Sequence, residues 1–194
     1  MKTEILVITD RSGSMGSIRS AVIEGFNSFI TDQKTVPGEA KVTYIQFDSQ
    51  YEVVYAGTPV QDVPLLTAET FVPRGSTAMQ DAIGKTLNEQ GKRIHDEAWA
   101  DLVIVYVITD GEENASSEFT LDQVKEMVKH TEANGWKFIF QAANIDAVNT
   151  AMTYGVSAKL ASTLSSNFDA SAVGTTMAYA TNSNLTRALR TSNV

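Results

Sequence analysis

The chain predicts an α/β fold in three layers, a mostly parallel six-stranded sheet with one antiparallel edge strand and helices on both faces. Three observations predict it. Strand-like and helix-like patterns alternate with short breaks along the 194 residues, as successive βαβ units require. The run Leu102-Val-Ile-Val-Tyr-Val-Ile108 has no polar alternation, the pattern of a central strand covered on both faces. That run and the apolar run Ile5–Ile8 both stop close before an aspartate, Asp110 and Asp10.

Residues 4–9 read as the first buried strand. Ile18, Ala21, Val22, Gly25, Phe26, Phe29 and Ile30 then keep helical spacing, and Pro37-Gly38 ends the unit. Lys41–Phe47 and Tyr51–Tyr55 read as strands joined at Asp48-Ser49, with the second antiparallel at the sheet edge. A loop through Pro59, Pro64 and Pro73 leads to a helix over Met79–Gln90. Leu102–Ile108 follows as the central strand, then a helix through Leu121, Val124, Met127 and Val128, opened by Thr120 as its cap. Trp136–Ala142 reads as a fifth strand, Ile145–Thr153 as a short helix, Val156–Leu160 as a brief sixth strand, and roughly 169–190 as the last helix.

The length suits one domain over residues 1–194. Hydrophobic residues at 43% and charged residues at 20% are those of an ordinary globular chain. There is no cysteine, which excludes disulfides and thiolate metal sites. The first residues enter a strand after three polar positions and lack the apolar segment of a signal peptide. No apolar run approaches the ~20 residues needed to span a bilayer, so the expected location is cytoplasmic. A net charge of −8, with Lys92-Arg93 the one adjacent basic pair, excludes a nucleic-acid surface built on phosphate neutralisation.

The chemistry concentrates in three loops. Asp10-Arg-Ser12-Gly-Ser14 places oxygen ligands at alternate positions of a tight turn, where all can face one point. A hard divalent cation takes such a mixed neutral and anionic oxygen shell. Thr109-Asp110-Gly111 ends the central strand in the same way, and Gly75-Ser76-Thr77 adds hydroxyls just before a helical pattern. Singly, each is ordinary turn or cap chemistry. Together they resemble the von Willebrand factor type A domain and its metal-ion-dependent adhesion site, whose pattern is Asp-x-Ser-x-Ser, a distant Thr and a distant Asp. Asp10, Ser12, Ser14, Thr77 and Asp110 match all five positions in order.

The resemblance implies the strand order 3-2-1-4-5-6, which sets the first and fourth strands side by side where the winding reverses and ligands bind. It further implies that Ser12, Ser14 and Thr77 bind the ion directly, while Asp10 and Asp110 do so directly or through water. Mg²⁺ is the expected ion, with Mn²⁺ or Ca²⁺ able to substitute. A Glu or Asp of an unidentified partner protein is expected to complete the shell, and self-association stays open.

Arg11, Met15, Arg74, Glu112 and Glu113 share these loops, either as a contact surface or as plain exposed side chains. Asp81 reads as a first-turn helix residue favouring the positive end of the dipole, and Asn144 and Asp146 as turn and cap. His95 and His130 read as surface helix residues, and no nucleophile elbow or phosphate-binding Gly loop follows a strand. The expected function is a non-enzymatic, metal-dependent protein-binding module. Metal-assisted phosphoester hydrolysis and a structural domain with a stabilising ion are the alternatives.

Overall fold

The computed structural model describes residues 1–143, 145–169 and 171–192; the turn role expected for Asn144 lies outside them. Six strands form one sheet: β1 (Lys2–Asp10), β2 (Glu39–Phe47), β3 (Tyr51–Pro59), β4 (Leu102–Thr109), β5 (Lys137–Ala142) and β6 (Ser166–Asn167). Their spatial order is β3-β2-β1-β4-β5-β6, the order expected. β3 alone pairs antiparallel, against β2, and the other pairings are parallel. Asp10 pairs with Phe47 and Thr9 with Ile108. The carboxyl ends of β1, β2 and β4 therefore stand level.

Strand periodicity divides the interior into two cores. Ile5 and Val7 face one of them, with Val42, Tyr44, Ile104 and Tyr106 from neighbouring strands. Two helices close it, α1 (Arg19–Lys34) and the last helix, Ala172–Thr191. Leu6 and Ile8 face the opposite core, with Ile45, Phe47, Val105 and Val107. Over that face lie α2 (Met79–Lys85), α3 (Gly91–Glu97), α4 (Leu121–Ala133), α5 (Ala147–Thr153) and α6 (Ala158–Leu164); Ala172–Thr191 is α7. Every β4 residue is buried, which is why its sequence shows no alternation.

The long helices α1 and α7 meet at Gly25. A β-carbon there would stand 2.3 Å from Cδ2 of Tyr179, so the tyrosine ring occupies the space that the missing side chain leaves. At the pole opposite the strand ends, Arg190 donates to the Gln33 carbonyl at 2.9 Å and to its side-chain oxygen at 3.0 Å, a cation placed at a helix C-terminus. Met1, Leu102, Gly135 and Ser192 line one cavity at this pole, so the first and last described residues lie close together. Among the described residues no helix is long and apolar enough to cross a membrane.

Two elements differ from expectation. Val156–Leu160 is not a strand: Ala158–Leu164 is α6, and the sixth strand is the pair Ser166–Asn167. Val156, Ala161 and Leu164 are buried while Ser157, Ala158, Lys159, Ser162 and Thr163 are exposed, a helical period that a five-residue window cannot reveal. The helix expected over Met79–Gln90 runs on to Glu97 through a wider turn at Thr86–Gln90. There the Thr86 hydroxyl donates to the Ala82 carbonyl at 2.7 Å, a back-bond that bends helices.

Candidate metal centre

The loops after β1 and β4 and the loop before α2 meet at the carboxyl edge of the sheet. Asp10 ends β1 fully buried. Its Oδ1 accepts the Ser12 backbone N–H at 2.6 Å and its Oδ2 accepts the Thr109 hydroxyl at 2.6 Å. Across the gap, the Ser14 hydroxyl donates to Asp110 Oδ1 at 2.7 Å. Ser12 Oγ and Ser14 Oγ are 3.0 Å apart, which joins Asp110, Ser14 and Ser12 into one chain of oxygens. Thr77 lies against the far side: its hydroxyl would be 3.6 Å from a β-carbon on Gly111. Asp10, Ser12, Ser14 and Asp110 thus share one bonded cluster, and Thr77 borders it through the Gly111 turn.

Local sequence explains this shape. Ser12 opens a tight helical turn over Gly13–Ile18, and Met15, fully buried, pins that turn into the core. The Gly13 N–H reaches the Gly75 carbonyl at 3.1 Å, and the Arg74 N–H reaches the Arg11 carbonyl at 2.7 Å. Gly75 has φ +67°, a left-handed conformation in which glycine carries no steric cost. The third loop is stitched to the second by reciprocal bonds: Thr77 N–H to Asn114 Oδ1 at 2.9 Å and Asn114 N–H to the Thr77 carbonyl at 3.0 Å.

One buried carboxylate holds two of these loops. Asp48, 1% exposed, follows β2. Its Oδ2 accepts Nε of Arg11 and Nε of Arg74, each at 2.9 Å, and its Oδ1 accepts the Gln50 N–H at 2.7 Å. Arg11 also pairs with Glu52 at 2.7 Å. Arg11 and Met15 are consequently interior supports and not part of a contact surface, whereas Arg74 and Glu112 are exposed. Asp81 is likewise buried, and its role exceeds a dipole contact. It accepts three consecutive N–H groups, from Ser117, Glu118 and Phe119, at 2.8–2.9 Å, so it fixes the loop that follows Asp110. Asp146 caps α5 as expected, accepting from Val148 and Asn149. His95 and His130 are exposed on α3 and α4.

Asp48 and Asn114 escaped sequence reasoning. Asp48 sits in an Asp-Ser turn that any hairpin uses, and Asn114 in a polar loop. Their partners lie 26–37 residues away, beyond any local pattern.

Burial sets the electrostatics of the cluster. It pushes the Asp10 carboxyl up to about 6, against the lowering effect of its bonds from Thr109 and Ser12. It also raises Asp110, against the bond from Ser14. A divalent cation would relieve both shifts, because it favours the ionised form of each carboxylate. The donors are all hard oxygens, suited to Mg²⁺, Mn²⁺ or Ca²⁺. Among the described residues no group of three or more His, Cys, Asp and Glu gathers. An ion here would therefore depend on the hydroxyls of Ser12, Ser14 and Thr77.

No protein-family profile and no curated protein sequence matches the chain. Solved structures do. The vWF domain of the type V pili tip protein Mfa5 from Porphyromonas gingivalis aligns over 99% of this chain and 97% of its own, with TM-score 0.69 and 9% identity. Proximal thread matrix protein 1 of the mussel byssus, solved with zinc in its MIDAS motif, aligns over 96% of this chain with TM-score 0.67 and 16% identity. This chain spans 48% of that protein. The manganese-loaded TRAP protein of Plasmodium vivax aligns over 87% of this chain and 68% of its own, with TM-score 0.55 and 15% identity. These likenesses show that the chain has the fold of a von Willebrand factor type A domain.

Proposed function

From that fold and its oxygen cluster, we propose that the chain is a single divalent-metal-dependent protein-binding module. The observation that carries the reading is the convergence of Asp10, Ser12, Ser14 and Asp110 into one hydrogen-bonded group beside Thr77. These five residues would hold Mg²⁺, with Mn²⁺ or Ca²⁺ as substitutes. Zinc in the MIDAS motif of the byssus protein and manganese in TRAP support a divalent ion at this fold. When bound, the ion supplies a positive centre that accepts an anionic oxygen from outside. Hydroxyl ligands neutralise less charge than carboxylates, which leaves attraction for a partner's Glu or Asp. Asp10 is enclosed while Ser14 is exposed, so the approach is from the Ser14 side.

The module is read as non-catalytic. A hydrolase needs a group that takes or gives a proton at the reacting atoms, and both histidines stand exposed on helices outside the three loops. Calorimetric titration with Mg²⁺ and Mn²⁺ tests the metal, with one site expected in the parent and none in Asp10→Ala or Asp110→Ala. Folded variants that bind metal like the parent would overturn the assignment. Binding is tested by protein capture in Mg²⁺ against EDTA, with Thr77→Ala expected to reduce capture. A robust phosphoester hydrolysis rate that Asp10→Ala abolishes would instead establish the hydrolase.

A further inference from the structure

A groove of about 570 Å³ opens next to the metal-binding loops, between the start of α2, the loop after β4 and the start of α5. Its walls include the apolar groups of Met79, Leu121, Ile145 and Tyr154. Three carboxylates also line it, Glu112, Glu113 and Asp146, with no Lys, Arg or His among the described lining residues. The groove and the cluster draw on the same two loops: Met79 is two positions past Thr77, and Glu112 two past Asp110.

Two of the carboxylates are fixed in place. Glu113 accepts the N–H groups of Gln80, Ala115 and Ser116, each at 2.8 Å. Asp146 accepts those of Val148 and Asn149 at 3.1 Å. Glu112 is exposed. Apolar walls with a one-signed rim suit a long aliphatic stem that ends in a cation, which buries its methylenes and leaves its head at the rim. Within the groove, away from the ion, a carboxylate would meet other carboxylates and no base among the described lining residues, on a chain of net charge −8.

We propose that the segment presenting a carboxylate to the metal also carries a lysine or arginine, and that this basic side chain lies in the groove. The inference rests on the metal-dependent binding reading above. In an extended segment, residues within about four positions reach across roughly 13 Å, which sets the spacing between the acid and the base. The groove then determines which acidic segments bind, and the ion makes binding conditional on metal.

Random-peptide display on the full chain in Mg²⁺, with elution by EDTA, tests this. Eluted peptides are expected to carry Asp or Glu with Lys or Arg within about four positions. In the double variant Glu112→Gln/Asp146→Asn, which keeps side-chain size and the capping oxygen, the carboxylate enrichment persists and the basic enrichment falls to library level. A peptide selected on the parent should bind the double variant roughly tenfold more weakly, while Mg²⁺ alone binds both alike by calorimetry. EDTA-eluted peptides with no basic enrichment, or with enrichment unchanged in the double variant, overturn the groove assignment and leave the metal-dependent module standing. An absence of EDTA-eluted peptides overturns both readings.

Discussion

Replacing Asp10 by asparagine should stabilise the metal-free protein at neutral pH. Burial pushes the folded-state Asp10 carboxyl from 3.8 up to about 6. A raised carboxylate pKa means that the folded state holds its proton more tightly than the unfolded state does. The associated stability is fully present below 3.8 and is lost as pH rises through about 6. A difference of about 2 units corresponds to about 3 kcal/mol. Asparagine has no charge to desolvate, and its amide matches the existing bonds. The oxygen accepts the Ser12 N–H, and the nitrogen donates to the Thr109 hydroxyl, which can turn its proton to the Gly111 carbonyl 3.2 Å away. Urea unfolding in EDTA across this pH range measures the effect. The parent should lose about 3 kcal/mol relative to Asp10→Asn as the pH rises. Mg²⁺ at about a thousandfold excess over Kd should reverse the ranking, since about 4.1 kcal/mol then accrues to the parent alone. A variant less stable than the parent in EDTA at neutral pH, with the same pH slope, would refute the reasoning.

The apparent Mg²⁺ affinity of the parent should fall about tenfold per pH unit below about 6, where a proton competes for Asp10; calorimetry in a pH series measures the slope. Asp48→Ala should cost about 3–5 kcal/mol, because it strands the buried Arg11 guanidinium. Chemical unfolding reads that loss, and Mg²⁺ titration should show weaker binding as the two loops lose their common anchor. Gly25→Ala should cost about 1–3 kcal/mol despite its better helix propensity, because the added carbon meets the Tyr179 ring. The double variant with Tyr179→Ala should show less than additive loss in thermal unfolding.

The sheet was legible because its strands announce themselves. Leu102–Ile108 and Ile5–Ile8 are continuous apolar runs, and each is followed within two residues by an aspartate. The parallel order then sets those ends side by side. The errors have physical causes. α6 is seven residues long, so its first half is as easily read with period two as with period 3.6. Arg11 stands between Asp10 and Ser12 and reads as exposed. Its burial depends on Asp48 and Glu52, more than 35 residues away, whose charges make an interior guanidinium tolerable. Asp81 shows the converse. Its place at a helix start was readable, but the three N–H groups it binds belong to a loop 36–38 residues on.

Met1 and Ser192 border the same cavity at the amino ends of the strands, while Asp10 stands at the other end of a nine-residue strand. At about 3.3 Å per residue the two poles are roughly 30 Å apart. A bead, a surface or a neighbouring domain joined at either position would leave the loops after β1 and β4 facing outward and unobstructed. Copies linked end to end through this pole would all point their loops away from the linkage. On a target with repeated acidic segments, such an array would gain avidity from the effective concentration of each further copy. Removing the ion would then release every copy at once.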